Sequence, residues 1–342
     1  LATIFCVAKI LAQNNQKKTA EQEYQNIQVL KGMPAEDLLK TMDLMSASLG
    51  VNCTFCHSDS YEKDDVRNKQ TARKMIKMTF ELNKNYFDGK LEITCSSCHR
   101  GEEHPASYPA LIQIKPPIVE PENKPKETLP TIDQLLDKYV QALGGKTSLE
   151  KITSRTMKGL RVDEKGEKIV EEVFQKAPNK MVVVTDSATI GFDGNNSWAR
   201  DNDGDEIELD KDELEQFKRE AELFQSANLK AVYKQMSVAG VDKINDKEAY
   251  IVRTVTNDNK RERLYFDKLT GLLVRRYSSS LTILGQYPIQ IDYLDYKLVG
   301  GVKIPFTIQW SQPNHSWSLK FSVVKNNVAI ADEKFKPTAK KN

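Results

Sequence analysis

Two pentapeptides, Cys53-Thr54-Phe55-Cys56-His57 and Cys95-Ser96-Ser97-Cys98-His99, constrain this chain more than any other feature. In such a unit two thiols and an imidazole sit on one short turn. All three must reach the same planar macrocycle: the thiols add to haem vinyl groups, and the histidine offers an axial nitrogen to iron. The expectation is two covalently attached haems c, one on Cys53 and Cys56 with His57, the other on Cys95 and Cys98 with His99. A zinc site built from the four thiols is the alternative. The 38 residues between the pairs make a long gap for zinc, and the two trailing histidines would have no role.

Covalent haem attachment takes place outside the cytoplasm, so the chain is expected to be exported, to a periplasmic or extracellular location. The segment Leu1–Ala12 is apolar apart from Thr3 and Lys9 and is followed by a polar tract from Gln13. Two readings stand for it: the tail of a signal peptide, or a strand rich in β-branched and aromatic residues. Cys6 lies outside both pairs and reads as a buried apolar residue, or, if exposed, as a thiol that could pair between chains. No apolar run is long enough to span a bilayer. With 50 basic and 48 acidic residues the net charge is +2, which offers no field to attract nucleic acid or an anionic membrane.

Composition separates the 342 residues further. Residues 1–24 are an apolar segment and polar lead-in. Residues 25–104 show helical periodicity and hold both motifs. Residues 105–130 carry seven of the thirteen prolines, which fix φ repeatedly and remove amide donors, so an extended linker or strap is expected. Residues 131–342 open with a helix from Thr131 that Gly144-Gly145 stops. They continue as short alternating runs (155–162, 168–175, 180–185, 249–256, 262–266, 272–277, 289–298, 303–310 and 317–324), with a further helix over 211–223. The fold class expected is α+β and multidomain: a small helical di-haem module, a Pro-rich linker, then a curved antiparallel sheet with a few helices.

In the helical module, Pro34-Ala35-Glu36-Asp37 opens a helix closed by Gly50, with Leu38, Met42, Met45 and Leu49 on one face. A second helix is predicted over about 65–87, with Thr71, Met75, Met78 and Leu82 on one face. Each helix precedes one haem motif. A low-spin electron carrier needs a sixth iron ligand, and each helix offers a pair of methionines. A methionine stripe is also what an ordinary core uses, and spacing does not choose within either pair.

The stretches Thr41-Met42-Asp43-Leu44-Met45 with Ser48–His57, and Ala72–Met78 with Asn83 and Thr94–Gly101, resemble the cytochrome c subunit of photosynthetic reaction centres. The resemblance covers about residues 25–110. It implies a helix bearing the axial methionine, then a turn, then the haem motif. It implies Met42 as sixth ligand for the haem on Cys53/Cys56 and Met75 for the haem on Cys95/Cys98. Photosynthetic members carry four haems, and this chain has two motifs. The third region resembles, more weakly, the periplasmic lipoprotein-carrier fold, on its opening helix, Gly191–Trp198 and Arg263–Asp267.

The functional expectation is electron transfer with redox proteins as partners, not substrate chemistry. A di-haem peroxidase, with one open iron, is the alternative. A homo-polymer joined through Leu1–Ala12, the Pro-rich strap or an edge of the sheet is a further expectation. Lesser features have plainer readings. Asp201–Glu206 resembles a calcium loop, but its glycine stands at the fourth place, and a solvated acidic turn is expected. His104 is expected at the surface, His315 in a turn, and Lys334–Lys341 as a solvated tail.

Overall fold

The computed structural model describes residues 18–105, 128–207, 209, 211–223 and 228–337. The expectations placed on Leu1–Ala12, on Cys6 and on most of the Pro-rich strap fall outside the described residues. The chain divides into two compact units, one formed by residues 1–107 with Thr282–Gly285 and the other by the remainder. The fold is α+β: a helical N-terminal part and a large curved antiparallel sheet. Among the described residues no helix is long and apolar enough to cross a membrane.

The first unit contains α1 (Ala20–Glu23), α2 (Leu38–Leu49), α3 (Arg67–Tyr86) and α4 (Cys95–Cys98). A 3-10 turn, Ala35–Asp37, leads into α2. Pro34 stands at its N-cap, where a fixed φ near −55° suits the start of a helix. Gly50 ends α2 in the left-handed region at φ 66°. Among the described residues the buried apolar side chains of this unit's core are few: Ala20, Leu30, Met33, Leu38, Ile76 and Leu284. Met42, Met45 and Phe80 pack against them from α2 and α3.

The second unit opens with α5 (Ile132–Leu143), whose Thr131 accepts from the Gln134 amide while Gln134 returns a bond to the Thr131 amide. After α6 (Lys146–Glu150) come β1 (Ser154–Asp163), β2 (Lys168–Lys176), β3 (Lys180–Thr185), β4 (Ala188–Phe192) and β5 (Ser197–Asp201). Then follow α7 (Lys211–Ala221), α8 (Leu229–Val232), β6 (Tyr233–Ile244), β7 (Lys247–Thr256), β8 (Arg261–Asp267), β9 (Leu273–Thr282), β10 (Gly285–Val299), β11 (Val302–Gln312) and β12 (His315–Asn326). The strands form one sheet in the order β5-β4-β3-β2-β1-β12-β11-β10-β9-β8-β7-β6. Only the β1–β12 junction joins strands that are not consecutive. The rest is a meander that short turns can close locally.

Leu135, Tyr139 and Leu143 recur along one stripe of α5 and bury against Val302, Ile304, Leu319 and Phe266 of the sheet. Each such side chain contributes about 1.5–3 kcal/mol. Three strands lie outside the runs read from sequence. β4 and β5 flank a hairpin whose Gly-Asn-Asn content reads as loop; there Asp193 accepts from the amides of Asn195 and Asn196. Gly191 is required in it, since a Cβ would sit 2.3 Å from the Trp198 ring across the pair. β6 is broken by register shifts at Tyr233/Gln235 and Val238/Gly240, which spoil its alternation. Those bulges, with Lys234 and Lys243, also discourage pairing of this edge with another chain.

Two expectations are corrected. His315 begins β12 rather than lying in the turn, and faces Glu164 at 3.6 Å. The basic C-terminal stretch does not begin as a solvated tail. Phe335 is fully buried, its carbonyl accepts from Trp198 Nε1 at 2.9 Å, and Lys334 Nζ lies 4.3 Å from the Phe174 ring. Asp332 bridges Lys176 and Lys180, each at 3.0 Å. Packing of an aromatic side chain outweighs the charge density around it.

A buried ionic cluster fixes α7 to the sheet. Arg276 on β9 donates to Glu220 at 3.0 Å, Arg219 faces Glu262 at 3.6 Å, and Tyr233 donates to Glu262 at 2.7 Å. Arg276 is held charged despite burial by Tyr293, Glu220, Glu262 and Tyr233 around it. Arg276→Met should destabilise this unit by about 3 kcal/mol, towards the low end for a broken buried pair because Glu220 keeps some solvent. Urea unfolding followed by tryptophan fluorescence checks it.

Candidate haem sites

The first motif is a 3-10 turn, Cys53–Phe55, in which the amides of Cys56 and His57 both donate to the Cys53 carbonyl. Asn68 on α3 donates to the Phe55 carbonyl at 3.1 Å and ties the turn to that helix. The His57 Nδ1 lies 3.2 Å from the Tyr61 carbonyl. A carbonyl only accepts, so Nδ1 carries the proton and Nε2 keeps its lone pair for a metal. The Tyr61 ring stands edge-on to the imidazole, with centroids 5.1 Å apart. Burial, with Lys69 and Arg73 nearby, holds His57 below its usual pKa, against the opposing pull of the Tyr61 carbonyl.

A cavity of about 600 Å³ adjoins this turn. Met42, Met45 and Leu49 of α2, Cys53, Cys56 and His57 of the motif, and Ile76 of α3 line it, with Lys69 and Arg73 at its polar part. Packing defects in a protein interior rarely exceed a water molecule, and this volume lies in the range of ligand sites. Apolar walls, two thiols, an imidazole with a free Nε2 and a thioether are the donor set and shape that fit a haem. The structure therefore brings together the first set of residues read from sequence, Met42, Cys53, Cys56 and His57, and adds Met45 to it.

At the second motif, Cys95–Cys98 form α4, capped by Thr94, whose amide donates to the Ser97 hydroxyl at 3.0 Å. The His99 Nδ1 lies 3.1 Å from the Glu102 carbonyl, which leaves its Nε2 free in the same way. Asn83, buried in α3, takes both the Glu92 and Ile93 amides on its side-chain oxygen, each at 2.9 Å. It returns a bond to the Ile93 carbonyl at 2.7 Å. Ser48 of α2 meets Ser96 at 2.7 Å, and its carbonyl accepts from the Gly101 amide at 2.8 Å. This approach explains Gly50, where a Cβ would fall 2.1 Å from the Gly101 oxygen. Met75 and Met78 on α3 remain 40% and 43% exposed, unlike Met42 and Met45, which pack on the core.

The four motif thiols are unpaired, and burial raises the pKa of Cys56 and Cys95. Among the described residues no three His, Cys, Asp or Glu side chains gather to hold a bare metal ion, so the four-thiolate zinc arrangement is not formed. His104 is exposed and faces Glu103 at 3.5 Å. Asp201 accepts from the amides of Asp203 and Asp205, an acidic turn closed on itself.

Sequence reasoning missed Asn68 and Asp64, and it quoted Asn83 only as part of the family resemblance, without its positioning role. Asn68 and Asn83 signal themselves only as asparagines inside a helix, where that side chain competes with the backbone. Asp64 has no local signal. It joins Asn26 at 2.9 Å, Arg73 at 2.8 Å and Lys69 at 3.2 Å.

Residues 3–127 match the family model described as photosynthetic reaction centre cytochrome C subunit. It is the N-terminal part of this chain that resembles that family. A photosynthetic reaction center cytochrome c subunit of Roseobacter denitrificans is 30% identical over 102 residues, covering 26% of this chain and 27% of that protein. One from Thermochromatium tepidum is 31% identical over 91 residues, covering 25% and 22%. The match thus spans about a quarter of each relative. Among solved structures, a DUF1329 family protein from Desulfovibrio piger is 10% identical with a TM-score of 0.45, covering 61% of this chain and 99% of that one. A LolA superfamily protein from Nitrosomonas europaea is 12% identical with a TM-score of 0.42, covering 61% and 98%.

Two outcomes follow from the positioning groups. Asn83→Ala strands two amides and a carbonyl and should cost about 1–3 kcal/mol in thermal or denaturant unfolding of the first unit. The Asp64 carboxyl is held well below the usual carboxylate range by Arg73 first, then Lys69 and Asn26, against desolvation. A depressed folded pKa gives stability that is complete above about pH 4 and is lost as pH falls further. Asp64→Asn should therefore flatten the acid limb of the stability–pH curve and lower stability at pH 7, as denaturant midpoints at several pH values will show.

Proposed function

We propose that this chain is an exported electron-transfer protein that holds two haems c. Cys53 and Cys56 would attach the first, with His57 and Met42 to hold its iron; Cys95 and Cys98 would attach the second, with His99 and Met75. The observation that supports the reading best is the lining of one apolar cavity of about 600 Å³ by Met42, Cys53, Cys56 and His57 together. When bound, haem supplies a one-electron iron couple.

The chain's own groups do the rest. The paired thiols fix the group to a turn that α3 holds, so orientation is settled before any partner arrives. The Tyr61 and Glu102 carbonyls keep the protons of His57 and His99 on Nδ1 and aim Nε2 away from them. A methionine sulfur is a soft ligand that favours the reduced iron, so moderately high potentials are expected. The apolar lining excludes water. The cations at the cavity wall are engaged by Asp64 and hold position rather than move protons.

Redox proteins are the partners this reading requires, and the reaction-centre subunits named above are the relatives that suggest them. Export follows from the chemistry of covalent attachment, and the sheet unit is assigned a binding rather than a catalytic part.

A pyridine haemochrome assay on the exported protein should find two covalent haems per chain; fewer would sink the reading. Met42→Ala should abolish the methionine-to-ferric charge-transfer absorption of one haem while Met45→Ala keeps it. The opposite pattern moves the ligand to Met45.

A further inference from the structure

We propose that Lys69 makes the two haem sites unequal, setting the reduction potential of the site held by His57 above that of the site held by His99. The inference rests on the haem reading above and concerns a positioning residue that neither motif contains.

The Tyr61 carbonyl serves two donors. It accepts from His57 Nδ1 at 3.2 Å and from Lys69 Nζ at 2.8 Å. Lys69 Nζ is anchored further by the Lys63 carbonyl at 2.6 Å and by Asp64 at 3.2 Å. Its side chain is only 11% exposed and that of Arg73 14%, and both residues line the cavity beside Met42 and His57. Among the described residues Asp64 is the carboxylate that both cations reach. Glu23 and Glu62, also at the cavity, are exposed to solvent, and Asp43 of α2 lines it half-buried, while the charges that act on the His57 imidazole are those of Lys69 and Arg73. The field at His57 is therefore that of two cations held close to it and largely shielded from solvent.

Two effects then point the same way. A carbonyl that accepts an imidazole N–H makes the ring a better electron donor and favours ferric iron. When an ammonium draws on the same oxygen, less of that push reaches the ring. A buried positive charge also opposes the added charge of the ferric state, and low local dielectric strengthens the opposition. At the second site the His99 Nδ1 faces the Glu102 carbonyl in an exposed turn, where the neighbouring charges, Arg100, Glu102 and Glu103, are all at the surface. Solvent screens these.

The test is a spectroelectrochemical titration of the full-length protein with both haems attached, comparing wild type with Lys69→Met and Lys69→Arg. Wild type should show two one-electron waves. Lys69→Met should lower the upper wave by up to tenfold in its equilibrium constant, about 59 mV, and leave the lower one in place. Lys69→Arg, which keeps the charge and a donor, should restore the wild-type value, which a merely structural role would not require. Arg73→Gln, removing the other cation at the wall, should lower the same wave and serves if Lys69→Met does not fold. No shift, a shift of both waves, or a shift of the lower wave overturns the proposal. A preparation without two covalent haems would defeat the haem reading instead, so the two failures are separable.

Discussion

A turn of five residues that presents two thiols and an imidazole cannot fix its own orientation. It has one or two internal hydrogen bonds and no core of its own, so something outside it must hold it. In this chain one helix, Arg67–Tyr86, does that for both turns. Asn68 near its start holds the Phe55 carbonyl, and Asn83 near its end holds the peptide groups of Glu92 and Ile93. The two asparagines lie fifteen residues apart on a continuous helix, about 22 Å along its axis. The spacing of the two motifs is therefore set by helix geometry rather than by the loops that carry them. The second turn is also tied to the neighbouring helix through Ser48, Ser96 and the Gly50–Gly101 approach.

Electrostatics in both units follow one pattern, in which a buried cation is kept charged by fixed partners and in turn fixes an element. In the first unit, Lys69 and Arg73 share Asp64 and join α3 to the loop that follows the first motif and to Asn26. In the second, Arg276 and Arg219 join α7 to β8 and β9 through Glu220 and Glu262. Such clusters contribute less net stability than an equal volume of apolar packing, because desolvation offsets most of the attraction. What they supply is position: each requires one placement of the helix over its neighbour. At the cavity wall that placement also puts charge where a bound redox group would feel it.

Much of the fold was legible because its signals are local. The helix opened by Pro34 and closed by Gly50, the stripe of α5, and nine of the strands announce themselves by capping residues or by period. The strands that escaped notice are those whose period is interrupted. β6 carries two register shifts, and β4 and β5 are five residues each around an Asp193 turn. The C-terminal stretch reads as a charged tail because nothing nearby in sequence shows that Phe335 will be buried and its carbonyl bonded to Trp198.

From the sequence alone came the proposed attachment chemistry and its ligand types, since two thiols and a histidine within five residues suit one macrocycle whatever surrounds them. Helical pairs of methionines upstream were visible for the same reason: their spacing is a property of a few consecutive residues. Tertiary structure decided which groups meet the imidazoles, that Met42 and Met45 turn into a cavity while Met75 and Met78 stay partly exposed, and that Lys69 reaches the carbonyl on which His57 depends. Those facts need residues from 23 to 76 to converge on one cavity, and no local pattern encodes a convergence across that span. Chemistry confined to a short turn can be read along the chain; the field around it exists only once the chain has folded.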